Sequence, residues 1–245
     1  MTWSILAKDS DSGLYGLAVA SRFFAVGALC PWSGGPHGAA MSQALPNPDL
    51  GARALMLLGQ GHRAKSVIEM LVGMDQGIDH RQLHVIDSDG ATAAHTGAEC
   101  VDWCGSLTES GVSVAGNMLA GPQVIAETLA AYKANPGLPI VERLLAAMQA
   151  GEDAGGDKRG KQAAALRIQG PECYARLDIR ADDHADPLAE LRRLYAVARE
   201  RSIPFSASLP NRARPYGILD RATIDKIIER DAGKPLAATV DIPEI

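Results

Sequence analysis

Apolar and polar residues alternate over positions 2–8 (TWSILAK), with Trp3, Ile5 and Ala7 on one face and Thr2, Ser4 and Lys8 on the other. A period of two predicts a β-strand. Asp9-Ser10-Asp11-Ser12-Gly13 reads as a turn, and residues 14–22 (LYGLAVASR) as a second, more continuous apolar strand. The two form a hairpin. If Ala7 or Lys8 faces Leu14 or Tyr15, paired residue numbers sum to about 22. Thr2 then falls beside Ala20, with Ser21 and Arg22 within a residue or two.

The same reading runs on along the chain. Residues 27–30 and 37–44 are short apolar stretches and predict strands. Pro46-Asn47-Pro48-Asp49 marks a helix start, and helical spacing follows over 49–60 and 63–73. Strands are expected at 81–87 and 91–96, joined by Ser88-Asp89-Gly90, because Asp-Gly accepts positive φ. Residues 99–108 read as an irregular strand or loop, and 111–117 as a strand. Helices are expected at 121–134 and 138–150, strands at 163–169 and 172–180, and a helix at 186–200 capped by Asp186-Pro187. The acids of Asp182-Asp183-His184 fit helix capping better than a metal or acid–base role. The pattern predicts an α+β fold of two antiparallel sheets, each covered by helices. Residues 1–200 form the main domain. Residues 201–245, broken by Pro204, Pro210 and Pro215, form an appendage with a short helix near 221–231, expected to pack on the domain or on a neighbouring subunit in a homo-oligomer.

Composition narrows the partners. The chain has 245 residues and a net charge of −5, which argues against nucleic acid. No apolar run reaches the roughly 18 residues of a membrane helix, and no secretory signal is evident. Cys30, Cys100, Cys104 and Cys173 are expected as reduced thiols in a cytoplasmic protein. Cys100 and Cys104 with His84 and His95 do not follow a common zinc spacing, so no metal or cofactor is expected.

The chemistry concentrates at Thr2. Removal of Met1 leaves one residue carrying both a hydroxyl nucleophile and an α-amine. That amine has an ordinary pKa of about 7.7–8.0, so it can take the hydroxyl proton near neutral pH. A threonine opening a strand, a turn, and an apolar strand ending Ala-x-Ser-Arg resembles the start of the N-terminal-nucleophile (Ntn) hydrolases, proteasome β-subunits included. The chain more closely resembles a family of uncharacterised bacterial Ntn-hydrolase-like proteins. The segments that carry this are TWSILAKD (2–9), AVASRFFAVGA (18–28), RQLHVID (81–87), HTG (95–97), GNMLAGPQV (116–124), AGGDKRGKQAAAL (154–166) and DDHADPLAELRRLY (182–195). The resemblance implies a four-layer αββα sandwich and amide hydrolysis. It departs from the proteasome pattern at 36–43 (PHGAAMSQ), which lacks the lysine expected there. Activation then rests on the Thr2 amine with Ser4, Ser21 and Arg22.

Other segments complete the expected site. Asn117, within Gly116-Asn117-Met118-Leu119-Ala120-Gly121-Pro122, is a candidate oxyanion donor at a strand end. The glycine- and charge-rich loop 151–162 is the expected specificity element. In it Asp153 and Asp157 suit a substrate amine, and Lys158 and Arg159 suit a carboxylate or phosphate. His37 and His95 are expected as substrate contacts rather than general bases. Two functions follow from these residues. One is a small-molecule amidohydrolase acting through Thr2. The other is a non-catalytic Ntn-like scaffold for binding or assembly.

Overall fold

The computed structural model describes residues Thr2–Leu236. The expected removal of Met1, and the last nine residues of the 201–245 appendage, lie outside the described residues. The strands are β1 (Thr2–Lys8), β2 (Tyr15–Ser21), β3 (Pro31–Ser33), β4 (Gly38–Ala44), β5 (Arg81–Asp87), β6 (Thr92–Thr96), β7 (Gly105–Glu109), β8 (Val112–Asn117), β9 (Ala163–Gln169) and β10 (Ala175–Ala181). The helices are α1 (Val26–Leu29), α2 (Pro48–Gly59), α3 (Ala64–Met74), α4 (Gln123–Ala134), α5 (Ile140–Asp153), α6 (Pro187–Glu200), α7 (Ser202–Ser206) and α8 (Arg221–Asp231).

The strands make two antiparallel sheets, a six-stranded one ordered β10-β9-β2-β1-β8-β7 and a four-stranded one ordered β3-β4-β5-β6. Alternation sorts their side chains into layers. Trp3, Ile5 and Ala7 pack with Val124 of α4, Leu144 of α5 and Leu191 of α6 on the outer face of the larger sheet. Leu6, Leu17 and Val19 point the other way and meet Met41 and Ile86 of the smaller sheet. The outer face of that sheet, with Leu83 and Val85, is covered by α2 and α3. The fold is therefore a four-layer αββα sandwich of class α+β. Both faces of β1 and β2 are buried, which explains why β2 reads as a nearly unbroken apolar run.

Three expectations need correction. Residues 27–30 are not a strand: α1 occupies Val26–Leu29, entered through Ala25 at φ 54°. A short apolar run does not distinguish strand from helix, and Gly27 lets this turn lie against β9, since a Cβ there would sit 2.2 Å from that of Ala165. The 99–108 segment ends in a regular edge strand, β7, paired with β8 through Leu107 and Val114. The segment after residue 200 begins with a further helix, α7. Ala207, just after α7, and Ile218 form a small apolar cluster with Ile224, Ile227 and Ile228 of α8. This part is tied back to α6 where Leu236 N–H donates to Tyr195 Oη at 3.2 Å. No helix among the described residues is long and apolar enough to cross a membrane.

Helix α2 seats on the smaller sheet through Gly51, where a Cβ would lie 2.2 Å from the indole of Trp32, whereas Gly59 in the same helix faces open space. Gly51→Ala is expected to lose about 1–3 kcal/mol by overpacking. Gly59→Ala should be neutral or gain up to about 1 kcal/mol from helix propensity. Urea midpoints of the two variants beside wild type check the contrast.

Candidate functional site

The hairpin register decides what stands beside Thr2. Lys8 pairs with Tyr15 and Trp3 with Ala20, so paired numbers sum to 23, one more than expected. The shift matters because one step along a strand exchanges its two faces. It brings Ser21, rather than Ala20, to Thr2, and the two hydroxyl oxygens lie 3.3 Å apart. On the other side of β1, Thr2 pairs with Asn117 of β8. All three residues are buried.

Behind this corner a polar chain crosses between the sheets, and its hydrogen bonds assign every donor. Gln82 Nε2 donates to the backbone oxygens of Gly116 (2.8 Å) and Gly105 (3.2 Å), so Gln82 Oε1 must be the acceptor. It receives Asn117 Nδ2 at 3.0 Å and Gln43 Nε2 at 2.8 Å. Gln43 Oε1 is then free to accept Ser4 Oγ at 2.6 Å. Having given its proton to Gln43, Ser4 accepts from His84 Nε2 at 2.8 Å, which leaves His84 Nδ1 to accept from Ser113 Oγ at 2.9 Å. The imidazole is therefore the neutral Nε2–H tautomer, and burial pushes its pKa down to about 3. Ser4, expected at the reacting centre, is held in this layer instead.

Asn117 is committed in the same way. Its Nδ2 donates to Gln82 and, at 3.4 Å, to the backbone oxygen of Thr2. Both amide hydrogens expected to stabilise an oxyanion are thus directed at protein oxygens.

Of the expected 151–162 loop, residues up to Asp153 belong to α5, and the remainder folds onto this corner through Asp157, whose side chain is 2% exposed. Its carboxylate accepts the backbone N–H of Arg22 (2.8 Å) and of Arg159 (2.9 Å), and it pairs with the Arg159 guanidinium at 3.1 Å. The Arg22 guanidinium in turn donates to the backbone oxygen of Arg159. A short antiparallel bridge between Leu119 and Asp157 joins the loop to the segment after β8. Asp157 is a structural anchor, and Arg159 is the residue it presents.

Asn117 and Arg159 line a cavity of about 290 Å³ with Ala44, Leu45, His80, Glu99, Cys100, Val101 and Met118. Ala44 (φ 73°) and Met118 (φ 53°) are left-handed, two of the three such non-glycine residues among those described. Conformations of this kind cost on the order of 1–3 kcal/mol and collect at functional sites. Here they are held by pairing of Ala44 with Arg81 and by a bond from Met118 N–H to Val101 O at 2.8 Å.

The remaining expected residues lie elsewhere. His37 is exposed before β4, at the end of the sheet opposite Thr2, since Gly38 pairs with Asp87 while Ala44 pairs with Arg81. His95 Nε2 contacts Ile78 O at 3.3 Å. Asp153 is exposed and accepts from Gln149 at 2.8 Å, and Lys158 Nζ donates to Asp102 O at 2.7 Å. Asp186 caps α6, accepting the N–H of Ala189 at 3.2 Å. Burial pushes the Cys100 and Cys104 thiols up, and the two sulfurs bond backbone oxygens of Arg81 and Cys100. Among the described residues no three His, Cys, Asp or Glu side chains group closely enough to hold a metal ion. Sequence reasoning missed Gln82 and Ser113, and weighed His84 only as a zinc ligand. Their signal was polar side chains at inward positions of otherwise apolar strands.

A family model described as "Family of unknown function (DUF1028)" matches residues 2–191. Among solved structures, protein SPO2555 from Silicibacter pomeroyi, carrying the same family description, is 32% identical over 90% of this chain and 96% of its own, with a TM-score of 0.83. Anbu (ancestral beta-subunit) from Yersinia bercovieri is 11% identical over 85% of this chain and 98% of its own, with a TM-score of 0.39. No curated protein matches the chain.

The buried His84 makes stability pH-dependent. Its folded pKa lies below the ordinary value of about 6.5, so its contribution is complete above that pH and is lost as pH falls from 6.5 towards 3. One proton is worth roughly 1.4 kcal/mol per pH unit. Between pH 6.5 and 5, wild type should lose about 2 kcal/mol more than His84→Gln, measured by urea unfolding.

Proposed function

Because the chain belongs to the DUF1028 family, whose function is unknown, we propose its activity from its own site: an Ntn-type hydrolase of small amides acting through Thr2. The observation that carries the reading is the register that sets Thr2 between Ser21 and Asn117, the latter a residue of the cavity wall. The four-layer sandwich, with β1 central in the larger sheet, supports it.

In the proposed reaction, removal of Met1 frees the Thr2 amine. Thr2 Oγ1 attacks the amide carbon and its proton passes to that amine. Collapse of the adduct breaks the C–N bond, and the amine returns the proton to the departing nitrogen. Water then adds to the acyl-threonine by the same base and releases the acid. Ser21 orients the nucleophile. Asn117 holds the strand end through the Thr2 carbonyl. Arg159, held on the cavity wall by Asp157 and Arg22, is the proposed hydrogen-bond donor to the developing oxyanion, its net charge already balanced by Asp157. These steps use only groups of this chain.

The scaffold reading has one observation in its favour. Where the proteasome pattern carries a lysine, Gln43 belongs to the inter-sheet chain and Ser42 Oγ donates to Asn47 O at 2.8 Å.

Intact mass of protein from its native host should be short by the initiator methionine; a retained Met1 favours the scaffold. Against a panel of small amides, Thr2→Ser should keep activity and Thr2→Ala should lose at least about a thousandfold in kcat/KM. The pH profile supplies an independent check. The base works only when uncharged, so kcat/KM should rise with pH through about 7–8 and flatten above.

A further inference from the structure

The hydrogen-bond chain that ties up the Asn117 amide also determines what its other atom does. Gln82 is oriented by two backbone carbonyls and has no choice of rotamer: its nitrogen must face Gly116 O and Gly105 O, and its oxygen must face Asn117. Asn117 therefore turns its nitrogen towards Gln82 and Thr2 O, and its Oδ1 is left over. Among the described residues Oδ1 has no hydrogen-bond partner, although Asn117 is only 2% exposed. Asn117 lines the 290 Å³ cavity, so Oδ1 is the acceptor it can offer a ligand there. An acceptor without a protein donor is available to a ligand N–H.

The rest of the wall agrees. Glu99 adds an exposed carboxylate to the same cavity. The positive charge of Arg159 is matched by its pairing with Asp157.

We propose that this cavity selects ligands presenting an N–H donor, a primary amide or an amine, to Asn117 Oδ1, with Gln82 as the positioning residue that fixes this orientation. The inference deepens the amidohydrolase reading and rests on it for turnover, but not for binding. A cavity of this size holds a compact substrate, whose amide nitrogen at Asn117 is brought to the strand end where Thr2 stands.

The test uses small primary amides and their N,N-dimethyl counterparts on the full chain, with binding followed by protein NMR titration and turnover by product release. Primary amides should bind about tenfold or more tightly than the dimethyl forms. A preference due to size alone would survive Asn117→Ala, whereas one due to hydrogen bonding collapses to near unity. Gln82→Met should weaken the preference in the same direction, and thermal melting of each variant establishes that it is folded. Equal binding of the two amide classes by wild type, or a preference unchanged in folded Asn117→Ala, overturns the inference while leaving Thr2 chemistry standing. Selective binding without turnover overturns the hydrolase reading and leaves this one intact.

Discussion

The carboxamide of Gln82 joins the two sheets of this protein. It is fully buried, where each unsatisfied donor or acceptor would be costly, and it meets that demand with oxygens and nitrogens from both layers. Its nitrogen reaches Gly116 and Gly105 in the larger sheet, and its oxygen collects Asn117 from the larger sheet and Gln43 from the smaller. The sliding of one sheet over the other is restricted by these directional bonds in a way that apolar contact between Leu17 and Met41 does not provide. The position of Asn117, and through it the end of β1, follows from that restriction.

A second buried polar group does comparable work on the loop side. Asp157 is anionic, nearly inaccessible and surrounded by N–H donors from Arg22 and Arg159. Such a carboxylate is tolerated only when paired and hydrogen-bonded. The outcome is that a glycine-rich stretch, suited by composition to mobility, is pinned at one point against the hairpin. The cavity is bounded by these two constraints: an amide network on the sheet side and an ion pair on the loop side. Backbone at Ala44 and Met118 takes up the left-handed turns that closing the space requires.

Much of the architecture was legible because it rests on local periodicity. The two faces of TWSILAK, the Asp-Gly turn before β6 and the Asp186-Pro187 start of α6 each carry their signal within a few residues. The hairpin register was not settled by pattern, because a turn of five polar residues admits neighbouring pairings, and a change of one was enough to exchange Ala20 for Ser21. The inter-sheet chain was opaque for a different reason. Gln82 and His84 look like ordinary strand residues, and the partners named above lie 23–39 positions from Gln82 and 29 and 80 from His84, where no spacing rule reaches. Asp157 read as a ligand-binding acid because composition does not reveal that a carboxylate will be enclosed by its own loop.

The bond from Arg22 to Asp157 spans 135 residues of chain. A nascent polypeptide emerging from its N-terminus therefore exposes the hairpin long before the loop that closes over it has been synthesised. During that interval the backbone N–H of Arg22 lacks its carboxylate partner, and it gains one when the loop docks. The order of synthesis thus sets when this end of the hairpin acquires its buried carboxylate.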